Sequence, residues 1–533
     1  MKKVLSVLLA LVMLLSLAAC APADGDKETT AAKNETTAAP AGDETTAPEE
    51  VAAPLFEEGA GVKIEVWAYN NKDLEMDGCY GETAIEKVTN ADVTIFEYDM
   101  ATLDTAMAEK KVPQVMYNNG ATAIKNFGPE GAFINWFDYA DDYPNIKALL
   151  EDEQWAADVA KWTNEDGTMY GLPAVATGYS SVQGYLYRGD IFEKNNLEFP
   201  TNQEEFYDTL VKLKELYPDS YPFVIRSMSG NMQGLESLGY NWGGNHELTG
   251  NFNTIFNFDH ETESYYFAQT SDQMKEMISF LAKLYDEDLL HPSCMTMDTQ
   301  QWTEAMASGA SFITYDKVDR IPALTAAAEG GEEGWRLEGA APIAMGSKGV
   351  AESKKQGPTN YAFTVSALLK GEELTNALKY VDWLCSEEGI VTTNWGIEGE
   401  SYEVDAEGNK SWKEGFTYAG SGLGVAGVRL YQDFDAFKAS YDENTQEALE
   451  LISPYAVGKH DPVLTYNDEE KIIYDTYSQA LFNASLAELS KFILGQRDVE
   501  TEWDAYCTEM ESDSYHFDEL QKVHEDAYAR IKE

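Results

Sequence analysis

Basic residues are scarce in this chain. Its 533 residues include 38 Lys and Arg against 93 Asp and Glu, a formal net charge of −55 at pH 7. A nucleic-acid partner requires a basic surface that displaces counterions, so that class is excluded. Phosphate-rich and sulfated ligands are disfavoured for the same reason, and an anionic membrane offers no attraction. Cysteine is also rare. Cys20, Cys79, Cys294, Cys385 and Cys507 stand far apart, with no CxxC and no Cys/His ligand spacing, so no zinc site is expected. The six histidines are scattered singly and none accompanies a nucleophile motif. Long apolar runs are missing as well. The longest, Val4 to Leu17, is broken by serines and falls short of the ~20 residues of a membrane-spanning helix.

That short run has a different meaning. Lys2 and Lys3 precede it, and Leu17-Ala18-Ala19-Cys20 follows with small residues and a cysteine. The arrangement is that of an export signal, residues 1–19, and its end resembles the bacterial lipobox, in which the cysteine is acylated and becomes the first mature residue. A diacylglyceryl cysteine carries two chains, each buried methylene contributing about 0.8 kcal/mol, which is enough for stable anchoring. The expected location is the outer face of the cell membrane, held by lipid alone. Residues 20–55 hold the lipidated Cys20 and then Ala, Thr, Glu, Asp, Lys and Pro with almost no large apolar side chain. Such a segment cannot offset its ordering entropy by burial and reads as a disordered tether.

The roughly 480 residues from Phe56 onward exceed what one core accommodates and imply two or more domains. "VKIEVWAYNN", "ADVTIFEYD" and "PQVMYNNG" read as strands, with "MATLDTAMAEKK" as a helix between the last two. Strand, helix and strand with short loops predict a parallel α/β sheet, whose ligands sit beyond the carboxyl ends of the strands. Tyr69, Asn70 and Asn71 occupy that place after the first strand, and Tyr117, Asn118 and Asn119 after the third. Asparagine donates and accepts, which suits sugar hydroxyls, although Asn-Asn-Gly is also ordinary turn chemistry. Farther on, Asp166-Gly167 signals a hairpin, and Thr201 with Glu204 reads as the capping box of the helix in "NQEEFYDTLVKLKELY".

"YGLP", the strand ending Arg188-Gly189-Asp190, "NNLEFPTNQEEF", "WTEAMASGASFITYD", the stretch from "EELTNALKYVDWLCSEEG" through "NWGIEGESYEV", and "KFILGQRDVETEWDAYCTEM" occur in that order. Together they resemble the extracellular solute-binding proteins of family 1, in the larger oligosaccharide-binding branch. The resemblance implies a two-lobed α/β periplasmic-binding-protein-like fold of type II, with a ligand cleft between hinge-linked lobes. It implies crossings near Pro173, Tyr315 and Ala362. The lobes would be 56–173 plus 317–362 and 174–316 plus 363–533. It further implies a receptor without catalysis or cofactor, monomeric, that hands an oligosaccharide to the permease of an ABC importer. Where some members carry a calcium loop, this chain reads "PDSYPFVIR", which lacks alternating oxygen ligands, so no metal is expected.

Sugar recognition needs flat rings against pyranose faces and planar polar groups for paired hydroxyls. The candidates are Trp67, Tyr69, Asn70, Tyr117, Asn118, Trp242, Trp302, Tyr315, Asp316, Trp395 and Glu398, each of which has a structural alternative as core or ion pair. For acidic sugars the candidate cations are Arg188, Arg226 and Arg320, although Arg188 also reads as a partner of Asp190. Gly422 to Gly427 fits GxGxxG, but it lies deep in the C-terminal half without a βαβ start, and reads as a glycine loop. Two other readings stand beside the sugar receptor: the same fold binding a peptide or another small polar solute, and an extracellular glycoside hydrolase. Among 93 acidic residues, a carboxylate pair found by sequence carries no weight for the latter.

Overall fold

A computed structural model describes residues 53–532 except 70–77, 120, 165, 179–181, 228–236, 244–254, 330–333, 354–358, 426, 457–460 and 463. The signal segment, Cys20, nearly all of the tether and Asn70 lie outside the described residues. Residues 54–533 form one compact unit.

The first sheet begins with β1 (Lys63–Tyr69), in which Ile64, Val66 and Ala68 point inward while Lys63 and Glu65 stay exposed. β2 (Asp92–Tyr98) runs parallel to it, pairing Lys63 with Asp92 through Tyr69 with Tyr98. β3 (Val115–Asn119) is parallel on the other side. The helix Tyr80–Thr89 connects β1 to β2 and buries Ala84 and Ile85. Its Gly81 must be glycine, because a Cβ there would sit 2.9 Å from the carbonyl carbon of Gly422.

The chain then makes β4 (Leu172–Pro173) and β5 (Val175–Ala176) before entering a second sheet as β6 (Gln183–Arg188) and β7 (Phe223–Val224). Asn202, not Thr201, caps the intervening helix Gln203–Leu216, and the Glu205 carboxylate reaches back to the Thr201 amide. The capping pair is therefore one residue later than expected, since Asn outcompetes Thr as a cap. A hairpin, β8 (Phe256–Asp259) and β9 (Ser264–Phe267), leads through the helix Asp272–Asp286 to β10 (Ile313–Lys317) and β11 (Leu337–Ala340). β12 (Tyr361–Val365) returns to the first sheet, followed by helices Glu372–Leu384 and Glu387–Asn394, the hairpin β13 (Tyr402–Val404) and β14 (Lys410–Trp412), and β15 (Tyr431–Gln432).

The first sheet has the order β2-β1-β3-β12-β4 and the second β11-β6-β10-β7. Each has its own core. Val66, Ile95, Val115 and Phe363 pack with Leu378 and Val381 of the helix Glu372–Leu384. Tyr185, Phe206 and Ile313 pack with Met277 and Leu281, and with Leu489, Tyr506 and Leu520 of the last three helices. The chain crosses between lobes at 174–182, at 341–360 and at 433–442. Tyr315 lies inside β10 of the second sheet, so the middle crossing falls later than expected, just before β12, where the last of the expected crossings, near Ala362, stood. The helix Glu372–Leu384 with Val428 and Leu430 packs on the first sheet, whereas the expected boundary at 363 put it with the second. The reason is that β15 pairs in parallel with β5, returning the chain to the hinge a third time.

Candidate ligand-binding cleft

Strand directions locate the site. β1 and β3 are parallel, so their carboxyl ends share one edge, and β12, antiparallel to β3, begins there, pairing Tyr361 with Asn119. The chain leaves this edge through β4 and β5 and arrives in the second sheet at the amino end of β6. β10 is antiparallel to β6 and parallel to β7, so the carboxyl ends of β10 and β7 meet the same boundary. Both edges therefore lie where the chain passes from one sheet to the other.

On the first lobe, Tyr117 is buried and Tyr361, 40% exposed, stacks on it with ring centroids 5.6 Å apart and planes 16° from parallel. Asn118 is buried beside them and donates from Nδ2 to the Tyr98 hydroxyl at 2.9 Å, while that hydroxyl donates to the Tyr117 carbonyl at 3.2 Å. Tyr69 sets its ring edge-on against Tyr98 at 5.6 Å. Lys161 donates to Asn360 Oδ1 at 2.5 Å next to Tyr361, and burial pushes its ammonium down to about 8. Arg429, between fully buried Val428 and Leu430, donates from Nε to the Gly424 carbonyl. Its charge acts on Tyr117, Tyr361 and Tyr418, and burial holds its pKa below the usual arginine range. The glycine-rich loop makes this possible. Gly422, Gly424 and Gly427 all have positive φ, and a Cβ on Gly424 would strike the Tyr418 hydroxyl. Gly424 is a bracket for Arg429 and Tyr418.

On the second lobe, Arg226 grips Asp316 with two hydrogen bonds, 2.6 and 2.8 Å, and donates a third to Thr299 at 2.8 Å. Trp302 lies under the guanidinium at 4.8 Å and donates to Thr314 at 2.9 Å. Beyond β10, the Asp319 carboxylate is raised by burial and lowered by Arg320 and Lys317. Asp319 Oδ1 and Arg320 Nε are buried without a hydrogen bond, 3.7 Å apart. Burial, with the charges of Asp319 and Tyr418, pushes the Tyr441 hydroxyl up, while Arg320 pulls it down.

The sequence candidates divide accordingly. Tyr69, Tyr117 and Asn118 stand at the cleft edge. Asp316 is there too, but both its oxygens are taken by Arg226. Trp302 is buried beneath that pair, and Tyr315 points the other way, into the core against Tyr185 at 4.9 Å. Trp67 lies on the face of the first sheet, bonded to Glu65 and packed on Phe96 at 4.9 Å. Trp242 is 1% exposed in the second core beside Phe280. Trp395 is equally buried and donates to Asp433 at 2.8 Å, while Asn394 next to it donates to the Tyr431 carbonyl at 2.9 Å. These two residues brace the hinge strand. Glu398 is exposed in the following turn. Arg188 is consumed by Asp190 at 2.8 and 2.7 Å. Sequence reasoning missed Tyr98, Tyr361, Tyr418 and Arg429. Only Asn360-Tyr361 carried a signal, repeating the Tyr/Asn chemistry of the other strand ends.

A separate concavity of about 750 Å³ opens beside the helix Thr299–Ser308, lined mainly by Ala, Ser and Thr, with His291 its sole ring. It offers little for a pyranose to stack on.

Three solved structures resemble the chain over about nine-tenths of its length. An alginate-binding protein, AlgQ2, solved without calcium ion, matches 90% of this chain and 100% of its own with TM-score 0.67 and 19% identity. An extracellular solute-binding protein from Bifidobacterium longum subsp. infantis matches 90% and 100%, with TM-score 0.67 and 17% identity. The fold is that of solute-binding proteins. The Streptococcus pneumoniae ABC-transporter substrate-binding protein FusA in complex with kestose matches 88% and 99%, with TM-score 0.63 and 17% identity. In sequence the chain is similar to the lipoprotein LipO of Bacillus subtilis (strain 168), 23% identical over 443 residues, 78% of this chain and 82% of that protein. No family model matches the sequence.

Proposed function

We propose that the protein is a lipid-anchored receptor on the outer face of the cell membrane that captures an oligosaccharide between its lobes and delivers it to the permease of an ABC importer. The observation that carries this reading is the Tyr361 ring, exposed at the cleft edge and backed by the stacked Tyr117. A rigid aromatic face of this kind suits the apolar face of a pyranose. The hydroxyl and amide groups of Tyr98 and Asn118 lie beside it, and Arg429 and Lys161 supply donors. LipO, by its name a lipoprotein, and structures named for alginate and kestose binding support the same reading. The protein acts by closing and opening; chemistry and ATP hydrolysis belong to partners. Affinity then comes from contacts to both lobes, and hinge opening releases the ligand.

A thermal-shift screen of residues 54–533 against oligosaccharides and peptides tests this. A ligand at a hundred times its Kd stabilises by about 2.7 kcal/mol. The expected result is a shift with oligosaccharide that disappears in Tyr361→Ala, whose own stability stays near wild type because the ring is exposed. A shift with peptides alone would replace the sugar reading by the peptide one. Release of reducing ends on prolonged incubation would replace the receptor by a hydrolase.

A further inference from the structure

The three arginines that sequence offered for an acidic ligand are engaged: Arg188 by Asp190, Arg226 by Asp316, and Arg320 beside Asp319. Arg429 is different. Among the described residues no carboxylate pairs with it, and its one hydrogen bond uses Nε. Among the described residues its two Nη groups have no hydrogen-bond partner, and the side chain is half-buried, so they remain open to an incoming group. The adjacent amides of Ala174 and Val175 donate to the Tyr361 and Leu430 carbonyls at 2.9 and 3.1 Å, which sets Arg429 in the chain beside Tyr361, and Tyr117, Tyr361 and Tyr418 act electrostatically on its charge. Leaving a guanidinium without a counterion in so aromatic a setting costs free energy. It is more notable in a chain where acidic residues outnumber basic ones 93 to 38.

We infer that the sugar bound against Tyr361 carries a carboxylate, and that Arg429 receives it through its two Nη groups. This rests on the receptor reading above and refines it to uronate-type oligosaccharides. The guanidinium fork matches the two oxygens of a carboxylate in plane, a geometry that a pair of sugar hydroxyls fills less strongly. Anchoring of Nε on Gly424 fixes the direction of the fork before the ligand arrives, so little rotamer entropy is lost on binding. The acidic surface does not oppose this contact strongly, because charges farther than about 8 Å are largely screened at physiological ionic strength.

The test is calorimetric titration of residues 54–533, which form one compact unit, with two matched series of tetrasaccharides. One series is β-1,4-mannuronate, α-1,4-galacturonate and β-1,4-glucuronate. The other is the neutral counterparts, which differ only in bearing CH₂OH at C6. The expected result is that a uronate binds about 100-fold more tightly than its neutral twin, and that Arg429→Gln removes that difference, a loss on the scale of breaking a desolvated charge pair. Arg429→Lys, which keeps the charge but not the fork, should recover only part of it. Denaturation midpoints of the unliganded variants show that both are folded. Equal binding of neutral and acidic twins, with Arg429→Gln weakening both alike, would overturn the carboxylate and leave the sugar receptor standing. Binding of neither series would bring down both.

Discussion

Replacing Asp316 by asparagine distinguishes a structural carboxylate from a ligand-binding one. Asp316 is 8% exposed and Arg226 4%, and two charge-assisted bonds of 2.6 and 2.8 Å join them. The amide side chain would keep the shape and one acceptor for Arg226 but remove the carboxylate charge that pairs with it. Breaking a buried pair from one side costs about 3–5 kcal/mol; with one acceptor retained, about 3 kcal/mol is expected. Urea denaturation followed by tryptophan fluorescence reads it, since Trp302 lies under the pair and senses its loss. The double change Arg226→Met with Asp316→Leu should recover most of the stability, because both desolvation costs vanish along with the attraction. The reasoning is refuted if Asp316→Asn unfolds at the wild-type urea concentration yet loses oligosaccharide binding. That outcome would make Asp316 the ligand-facing residue its sequence position suggested.

Acid should weaken the second lobe through His524. Burial among Phe256, Tyr265, Tyr466 and Tyr474 pushes its imidazole down to about 4, and its Nδ1 lies 2.8 Å from the Leu520 carbonyl. The folded state resists protonation, so stability is complete above pH 6.5 and falls by about 3 kcal/mol as pH drops to 4; denaturation midpoints of wild type and His524→Phe across that range should differ in slope. Gly422→Ala should cost about 3 kcal/mol, since φ is +81° and the new Cβ would strike Cys79 Sγ. Cys79→Ala in that background should return part of the loss, measured as a double-mutant cycle. Trp395→Phe should cost about 1–2 kcal/mol by stranding one bond of Asp433, with sugar affinity little changed, because the ring braces the hinge away from the ligand. Cys20→Ala should move the protein from the membrane fraction into the medium.

The strand ends show how far a sequence carries such an argument. Tyr117 and Asn118 were legible because a period-2 apolar strand must stop where its polar tip begins, and a parallel sheet puts that tip at the ligand edge. The tryptophans were not. Trp242, Trp302 and Trp395 sit near glycines and polar residues in the chain, which suggested exposed rings. Their burial comes from segments far along the chain or across a turn: Asp433 for Trp395, and the Gly346 turn for Trp242. The capping of Gln203–Leu216 shifted by one residue for a local reason, and local reasons are those a sequence can nearly supply.

By itself, the sequence determined the acidic character that excludes nucleic acid and the apolar periods that build two α/β sheets. It also set the positive-φ glycines of the 422–427 loop, since backbone sterics act within a few residues. Tertiary structure alone decided which arginine is left open. Arg226 and Arg320 look equally available along the chain and Arg188 already reads as a partner of Asp190; each is met by an aspartate. Asp190 and Asp319 lie close by in the chain, whereas Asp316 reaches Arg226 only through the strand pairing. Among the described residues Arg429 has no carboxylate partner; its Nε bonds the Gly424 carbonyl, and the charges acting on it come from tyrosines at the end of β3, the start of β12 and the loop before the hinge. Whether a charge is paired depends on distances of a few ångströms between segments far apart in sequence, and those distances exist only after the sheets have closed on their cores.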